Sequence, residues 1–180
     1  MQTINEIIPT EKELENSDYH YQKELTARLD NLDSDFDQDI INEIVLWKVN
    51  RYAALDIDTI NLINRIKKTD KEINLELTEA ILLKLLRQKG IRLAMASTIL
   101  RFKNPTIYQI IDQRVYRFIY GNDLEYSVTN ITEQIKIYLA YLINLRDKSN
   151  QHSIKFENAD RVFYSMDKHY NATVKLKGFS

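Results

Sequence analysis

Three glycines and two prolines in 180 residues leave this chain almost no turn punctuation. A sandwich, a barrel or a Gly-rich phosphate loop needs positive-φ or fixed-φ residues at every corner, and they are missing here. Helical periodicity runs nearly throughout, with apolar residues recurring about every 3.6 positions. The expected fold is therefore all-α, with about eight helices over 11–30, 37–52, 56–68, 76–89, 93–102, 106–120, 130–147 and 157–169. The length suits one helical domain over 1–180 built around one core, and no internal repeat or low-complexity segment argues for a second.

Local signals mark the helix ends. Asp56 stands before IDTINLINRI as an N-cap, Asn130 stands before ITEQIKIYLAYLINL with Glu133 three residues on as a capping box, and Thr106 follows Pro105 as a third N-cap. Gly121 after RVYRFIY is a helix stop. The IVLW run at 44–47 and ILLKLL at 81–86 read as core-facing helix. The polar KSNQHS at 148–153 is the expected long loop, and NATVKLKGFS is either a short strand or a frayed tail.

Several chemistries drop out at once. There is no Cys, so disulfides, cysteine-ligated zinc, iron–sulfur clusters and thiol nucleophiles are excluded. His20, His152 and His169 lack metal-ligand spacing, and no metal or other cofactor is expected. The opening MQTINEIIPTEKELENSD is neither basic nor apolar, and no segment approaches the roughly 18 apolar residues of a membrane span. A cytoplasmic protein without a membrane partner is the expectation.

The near-zero net charge hides a strong asymmetry. Residues 1–45 hold twelve acids against three bases, an acidic segment expected to avoid phosphates and to be a solvated helix face. Residues 84–117 hold eight bases (Lys84, Arg87, Lys89, Arg92, Arg101, Lys103, Arg114, Arg117) against the single acid Asp112, the footprint of a polyanion contact.

Within that basic stretch, ILLKLLRQ, KGIRLA and MASTILRF read as a helix, a tight turn opened by Gly90 with apolar Ile91 in it, and a second helix carrying the small residues Ala94, Ala96 and Ser97. Gly permits a sharp turn with exposed N–H groups, and the next helix N-terminus adds a positive dipole end, so together they suit one phosphate. As spacing alone, the same pattern also fits an ordinary helical turn with a solvated basic face. KGIRLAMASTILRF nevertheless resembles the hairpin of the helix-hairpin-helix (HhH-GPD) DNA glycosylase superfamily, which includes endonuclease III and, more closely similar, the archaeal 8-oxoguanine glycosylases. Further on, IIDQRVYR resembles that superfamily's apolar-Asp-x-His-Val-x-Arg stretch, placing Asp112 on its shared aspartate, eighteen residues after position 94. The resemblance is tight over about 40 residues, with the hairpin at about 76–102.

The resemblance implies a task for Asp112. Breaking a base–sugar bond builds an oxocarbenium-like charge, which a carboxylate stabilises while orienting the attacking water. The competing role is an ion pair or cap holding Arg114, Arg117 or a nearby helix end. Two departures limit the implied reaction. Ala94 occupies the position of the Schiff-base lysine of the bifunctional enzymes, so lyase chemistry by that route and strand nicking are not expected. Arg92 stands where the hairpin's second Gly belongs. A positive φ there costs a non-Gly residue roughly 1 kcal/mol, and Arg92 either compensates with a charged contact to phosphate or marks a hairpin that has lost its DNA role.

A glycosylase-like reading makes the partner double-stranded DNA with a damaged or modified base. Lys89, Gly90, Ile91 and Arg92 grip a phosphate, Lys84, Arg101, Lys103, Arg114 and Arg117 add basic contacts, and Tyr108 and Tyr116 flank an extrahelical base. Tyr116 and Tyr120 lie one turn apart and fit core packing better, with their hydroxyls at the surface, and Trp47, Phe163, Tyr164 and Tyr170 are assigned to packing. Two readings of other classes stand beside it: a non-catalytic DNA-binding module or subunit of a repair or defence complex, and a helical protein-interaction domain.

Overall fold

The computed structural model describes residues 2–15, 23–49, 55–88 and 90–176. Among these, nine α-helices and one 3-10 turn account for all regular structure, with no strand. They are α1 (Glu11–Leu14), α2 (Lys23–Asp30), α3 (Gln38–Val49), α4 (Ile57–Ile63), α5 (Leu75–Arg87), α6 (Leu93–Lys103), α7 (Gln113–Tyr120), α8 (Ile131–Gln151) and α9 (Ala159–Tyr170), the 3-10 turn spanning Phe156–Asn158. No helix among the described residues is long and apolar enough to cross a membrane.

The expected caps at Asp56 and Asn130 form: Asp56 Oδ1 accepts from Thr59 N at 2.7 Å and Asn130 Oδ1 from Glu133 N at 3.1 Å. Asn74 caps α5 in the same way, accepting from Leu77 N at 3.0 Å. Gly121 ends α7 at φ +77, in the left-handed region.

Helix α6 lies at the centre. Ten of its eleven residues are buried, from Leu93 to Lys103, and it packs against α3, α5 and α8. A helix buried nearly all round tolerates only small or apolar side chains at its closest contacts, which is the use of Ala96 and Ser97. Around it, Ile41, Ile44 and Val45 of α3, Ile81, Leu82 and Leu85 of α5, Phe118 of α7, Leu145 of α8 and Val162 and Phe163 of α9 join one contiguous core. Burying a side chain of this size contributes about 1.5–3 kcal/mol each.

Three expected boundaries fail for physical reasons. The helix expected over 56–68 ends at Ile63, where Asn64 turns its side chain to the Phe36 backbone, its Oδ1 accepting from Phe36 N and its Nδ2 donating to Phe36 O, each at 2.7 Å. The helix expected over 106–120 begins only at Gln113, and Thr106 is not its N-cap. Asn104 Oδ1 captures Thr106 N at 3.0 Å, and Asn104 Nδ2 donates to Lys67 O at 2.7 Å, closing a turn at Asn104–Thr106. The non-helical segment that follows is buried, and side chains from other helices satisfy its backbone. Tyr138 OH donates to Gln109 O at 3.0 Å, Tyr141 OH to Ile110 O at 2.7 Å, and Ile111 N donates to Ser97 Oγ at 3.1 Å. KSNQHS at 148–153 is not a long loop either. Helix α8 continues to Gln151, because Ser149 is fully buried and its hydroxyl bonds Leu145 O at 2.6 Å. The expected helices 11–30, 37–52 and 76–89 each run into residues outside the described ones, as does the end of NATVKLKGFS, whose residues 171–176 carry no strand.

Candidate functional site

Helices α5 and α6 follow one another across a short connection containing Gly90. Gln88 ends α5, Gly90 takes φ +88, and Ile91 turns inward at 4 % exposure, donating its N–H to Gln88 O at 3.2 Å. Lys89 lies outside the described residues. Arg92 is the N-cap of α6 at φ −109 and ψ 174, an extended conformation open to any residue, so no Gly is required and no strain arises. Its side chain is exposed and forms no cap bond, leaving the first N–H groups of α6 to other partners.

The basic footprint is smaller than the sequence implies. Arg101 is 2 % exposed, pairs with Asp30 and donates to Glu157 O at 3.1 Å. Lys103 donates to Asn64 Oδ1 at 2.9 Å, sits 4.8 Å from the Phe36 ring centre and 3.7 Å from Asp35, and burial lowers the affinity of its amine for a proton. Arg117 is fully buried, donating through Nε and Nη2 to the two oxygens of Asp167, each at 2.7 Å. None of these three presents its charge to a phosphate. The acidic N-terminal segment, expected to be a solvated face, supplies two of the partners, Asp30 and Asp35. Arg114 also leans on Asp167, at 3.2 Å, but keeps 27 % of its side chain exposed. Lys84, Arg87 and Arg92 are exposed.

Asp112 takes the cap role considered for it. Its Oδ1 accepts from Arg114 N at 2.8 Å as the N-cap of α7, and its Oδ2 lies 4.0 Å from Lys48 Nζ at the end of α3. Arg114 and Arg117, the two arginines considered as its partners, both turn their side chains to Asp167 instead. The carboxylate faces a cleft of two adjoining hollows, of about 230 and 390 Å³, that share Lys48, Asp112 and Tyr164. The first hollow continues along Trp47, Ile110, Val115, Asp160 and Arg161. The second reaches Ala94, in the first turn of α6, together with Arg114, Leu124 and Tyr126. Arg92 is near enough to that end to act on Tyr126: burial raises the Tyr126 hydroxyl's pKa and the Arg92 charge offsets part of the rise. The hairpin and the aspartate therefore flank one concavity.

The two tyrosines expected to hold a base do not line it. Tyr108 is 1 % exposed with its hydroxyl 2.6 Å from Thr78 Oγ1, and burial raises its pKa. Tyr116 stacks on Tyr120 at 4.3 Å between ring centres and lines a separate hollow beside Gly121 and Asn122. Tyr164, read from the sequence as packing, lines the cleft instead, with Lys48, Asp160 and Arg161. Asp160 and Tyr164 are four apart on α9, so one helix face presents both, but nothing in the sequence ties that face or Lys48 to Asp112.

No family model, curated protein or solved structure matches the chain. The geometry defines a helical protein in which a cleft-facing, helix-capping aspartate stands beside the second helix of a glycine-turned helical hairpin.

Proposed function

We propose that this chain is a monofunctional DNA glycosylase-like protein that hydrolyses the bond between a damaged or modified base and its deoxyribose in duplex DNA, with no lyase step through position 94. The observation that carries this reading is the cleft shared by Asp112 and Ala94, which brings the hairpin helix and a partly exposed carboxylate to one place. In that reading the turn Gly90–Arg92 and the uncapped start of α6 hold a phosphate, with Lys84 and Arg114 beside it. The nucleotide turns out of the duplex into the cleft, and the Asp112 oxygen not engaged by α7 stabilises the developing oxocarbenium charge and orients water. The test incubates the protein with duplexes carrying uracil, 8-oxoguanine, alkylated purines, mismatches or other modified bases, and reveals abasic sites with alkali. Asp112-dependent abasic sites on one of them are the expected result, and none on any substrate ends the enzymatic reading.

A second reading keeps the hairpin and drops the catalysis, as a DNA-binding module or a subunit of a repair or defence complex. The Asp112 cap on α7 favours it, because capping alone accounts for an aspartate at that position. It predicts salt-sensitive binding that survives Asp112→Asn and is abolished by Arg92→Glu, with no base released. The third reading, a helical protein-interaction domain, draws on the burial of Arg101, Lys103 and Arg117 and predicts no DNA binding at modest salt.

A further inference from the structure

The loop between α2 and α3, the turn after α4 and the last residue of α6 enclose a hollow of about 240 Å³ that shares no residue with the Asp112 cleft. Lys103 lines it although only 5 % exposed. An ammonium carries three N–H groups, and among the described residues this one has a single acceptor at hydrogen-bond distance, Asn64 Oδ1 at 2.9 Å. Asp35 stands off, 3.7 Å from Lys103 Nζ and 3.8 Å from Lys67 Nζ, on a side chain that is 70 % exposed. A buried cation with donors to spare is costly. Burial pushes its pKa down, Asp35 offsets part of that, and Lys67 and Lys68 push the same way as burial. The walls hold their places without a ligand. Asn64 accepts from Phe36 N and donates to Phe36 O, fixing the loop, and Asn104 Nδ2 donates to Lys67 O at 2.7 Å and Asp70 O at 3.1 Å, fixing the turn.

We propose that this hollow binds the anion of a short-chain monocarboxylic acid, with its carboxylate on Lys103 and Lys67, where Asp35 now stands, and its chain against Leu32, Phe36 and Ile66. Charge sets the class. Lys67, Lys68 and Lys103 face Asp33 and Asp35, an excess of one positive charge that one carboxylate neutralises. A phosphate dianion brings a second negative charge beside the two aspartates, and the backbone of a duplex does not reach an amine set this deep. Size sets the limit. The hollow is smaller than the roughly 300–1,000 Å³ pockets that enclose drug-sized ligands, so it takes a compact molecule. The mostly exposed Asp35 side chain yields its place to the ligand, whose carboxylate replaces contacts of 3.7 and 3.8 Å with charge-assisted hydrogen bonds of about 2.7–2.9 Å. None of this depends on chemistry at Asp112, and either claim stands if the other fails.

The full chain, labelled with nitrogen-15, is titrated with butyrate at constant ionic strength, and its amide resonances are followed by NMR. The expected result is a saturable shift confined to residues 32–36, 66–69 and the end of α6, with none from butyramide, which has the same chain without the charge, and none from orthophosphate. Asp35→Asn removes the resident carboxylate and tightens butyrate binding at least threefold, a gain that a purely structural ion pair does not produce. Lys103→Met, of similar length and uncharged, abolishes the saturable shift. Lys68→Gln, at a position that is not buried, weakens binding about threefold and serves with Asp35→Asn if the Lys103 variant fails to fold. No saturable shift in the unaltered chain, equal binding of butyramide or orthophosphate, or Asp35→Asn binding no tighter than the parent each overturns the inference.

Discussion

At Asp112 the two carboxylate oxygens face different ways, Oδ1 to the backbone of α7 and Oδ2 to Lys48 and the cleft. Capping and chemistry can therefore be separated by substitution. Asparagine caps as well as aspartate, so Asp112→Asn is expected to melt within a degree or two of the parent, whereas Asp112→Ala loses roughly 1 kcal/mol in thermal or urea unfolding. Asp167 behaves differently, since it is fully buried between Arg117 and Arg114. Asp167→Asn leaves the Arg117 guanidinium buried without a counter-charge and is expected to cost about 3–5 kcal/mol, read as a large fall in the denaturation midpoint. The sequence register singled out Asp112 and offered a cap as its competing role, but not Lys48 beside its second oxygen, because that neighbour depends on how α3 packs against α7. Arg117 was legible in principle: it lies between Val115, Phe118 and Ile119 on α7, all buried, so its charge had to find an internal partner.

Among elements, the hairpin from α5 to α6 came through most clearly, because its signals are local: an apolar period, Gly at a positive φ and small residues after it. The break before α7 and the extension of α8 did not, because both depend on distant groups, Tyr138 and Tyr141 in one case and the burial of Ser149 in the other. A Cβ at Gly90 meets no atom within 4 Å, so the whole cost of Gly90→Ala is the φ of +88. That substitution is expected to lower stability by about 1 kcal/mol, measurable by urea denaturation. Arg92 is exposed at an unstrained φ, and Arg92→Glu is expected to leave the melting temperature unchanged while weakening DNA binding at least tenfold at low salt, measured by fluorescence anisotropy.

Across the whole molecule the charge asymmetry of the sequence is partly cancelled internally, as Asp30 binds Arg101 and Arg161 and Asp35 faces Lys103. One-dimensional charge counting cannot see such pairing, which joins residues 71 apart for Asp30 and Arg101 and 131 apart for Asp30 and Arg161. Of the eight bases between 84 and 117, Arg101, Lys103 and Arg117 are withdrawn, so at most five are left for phosphates. The dependence of log affinity on log salt should accordingly be no steeper than about −5. The all-α architecture followed from scarce Gly and Pro and a helical period, whereas the cleft is assembled from α3, α6, α7 and α9 and appears only when they pack. The central claim is that the carboxylate in that cleft cuts a base–sugar bond. Its most direct measurement is single-turnover base release from a panel of duplexes with damaged or modified bases, comparing the parent chain with Asp112→Asn at equal DNA occupancy. The account predicts abasic sites from the parent on at least one duplex and a loss of at least a hundredfold in Asp112→Asn. Equal release by the two proteins, or none from a parent chain that binds every duplex, would contradict it.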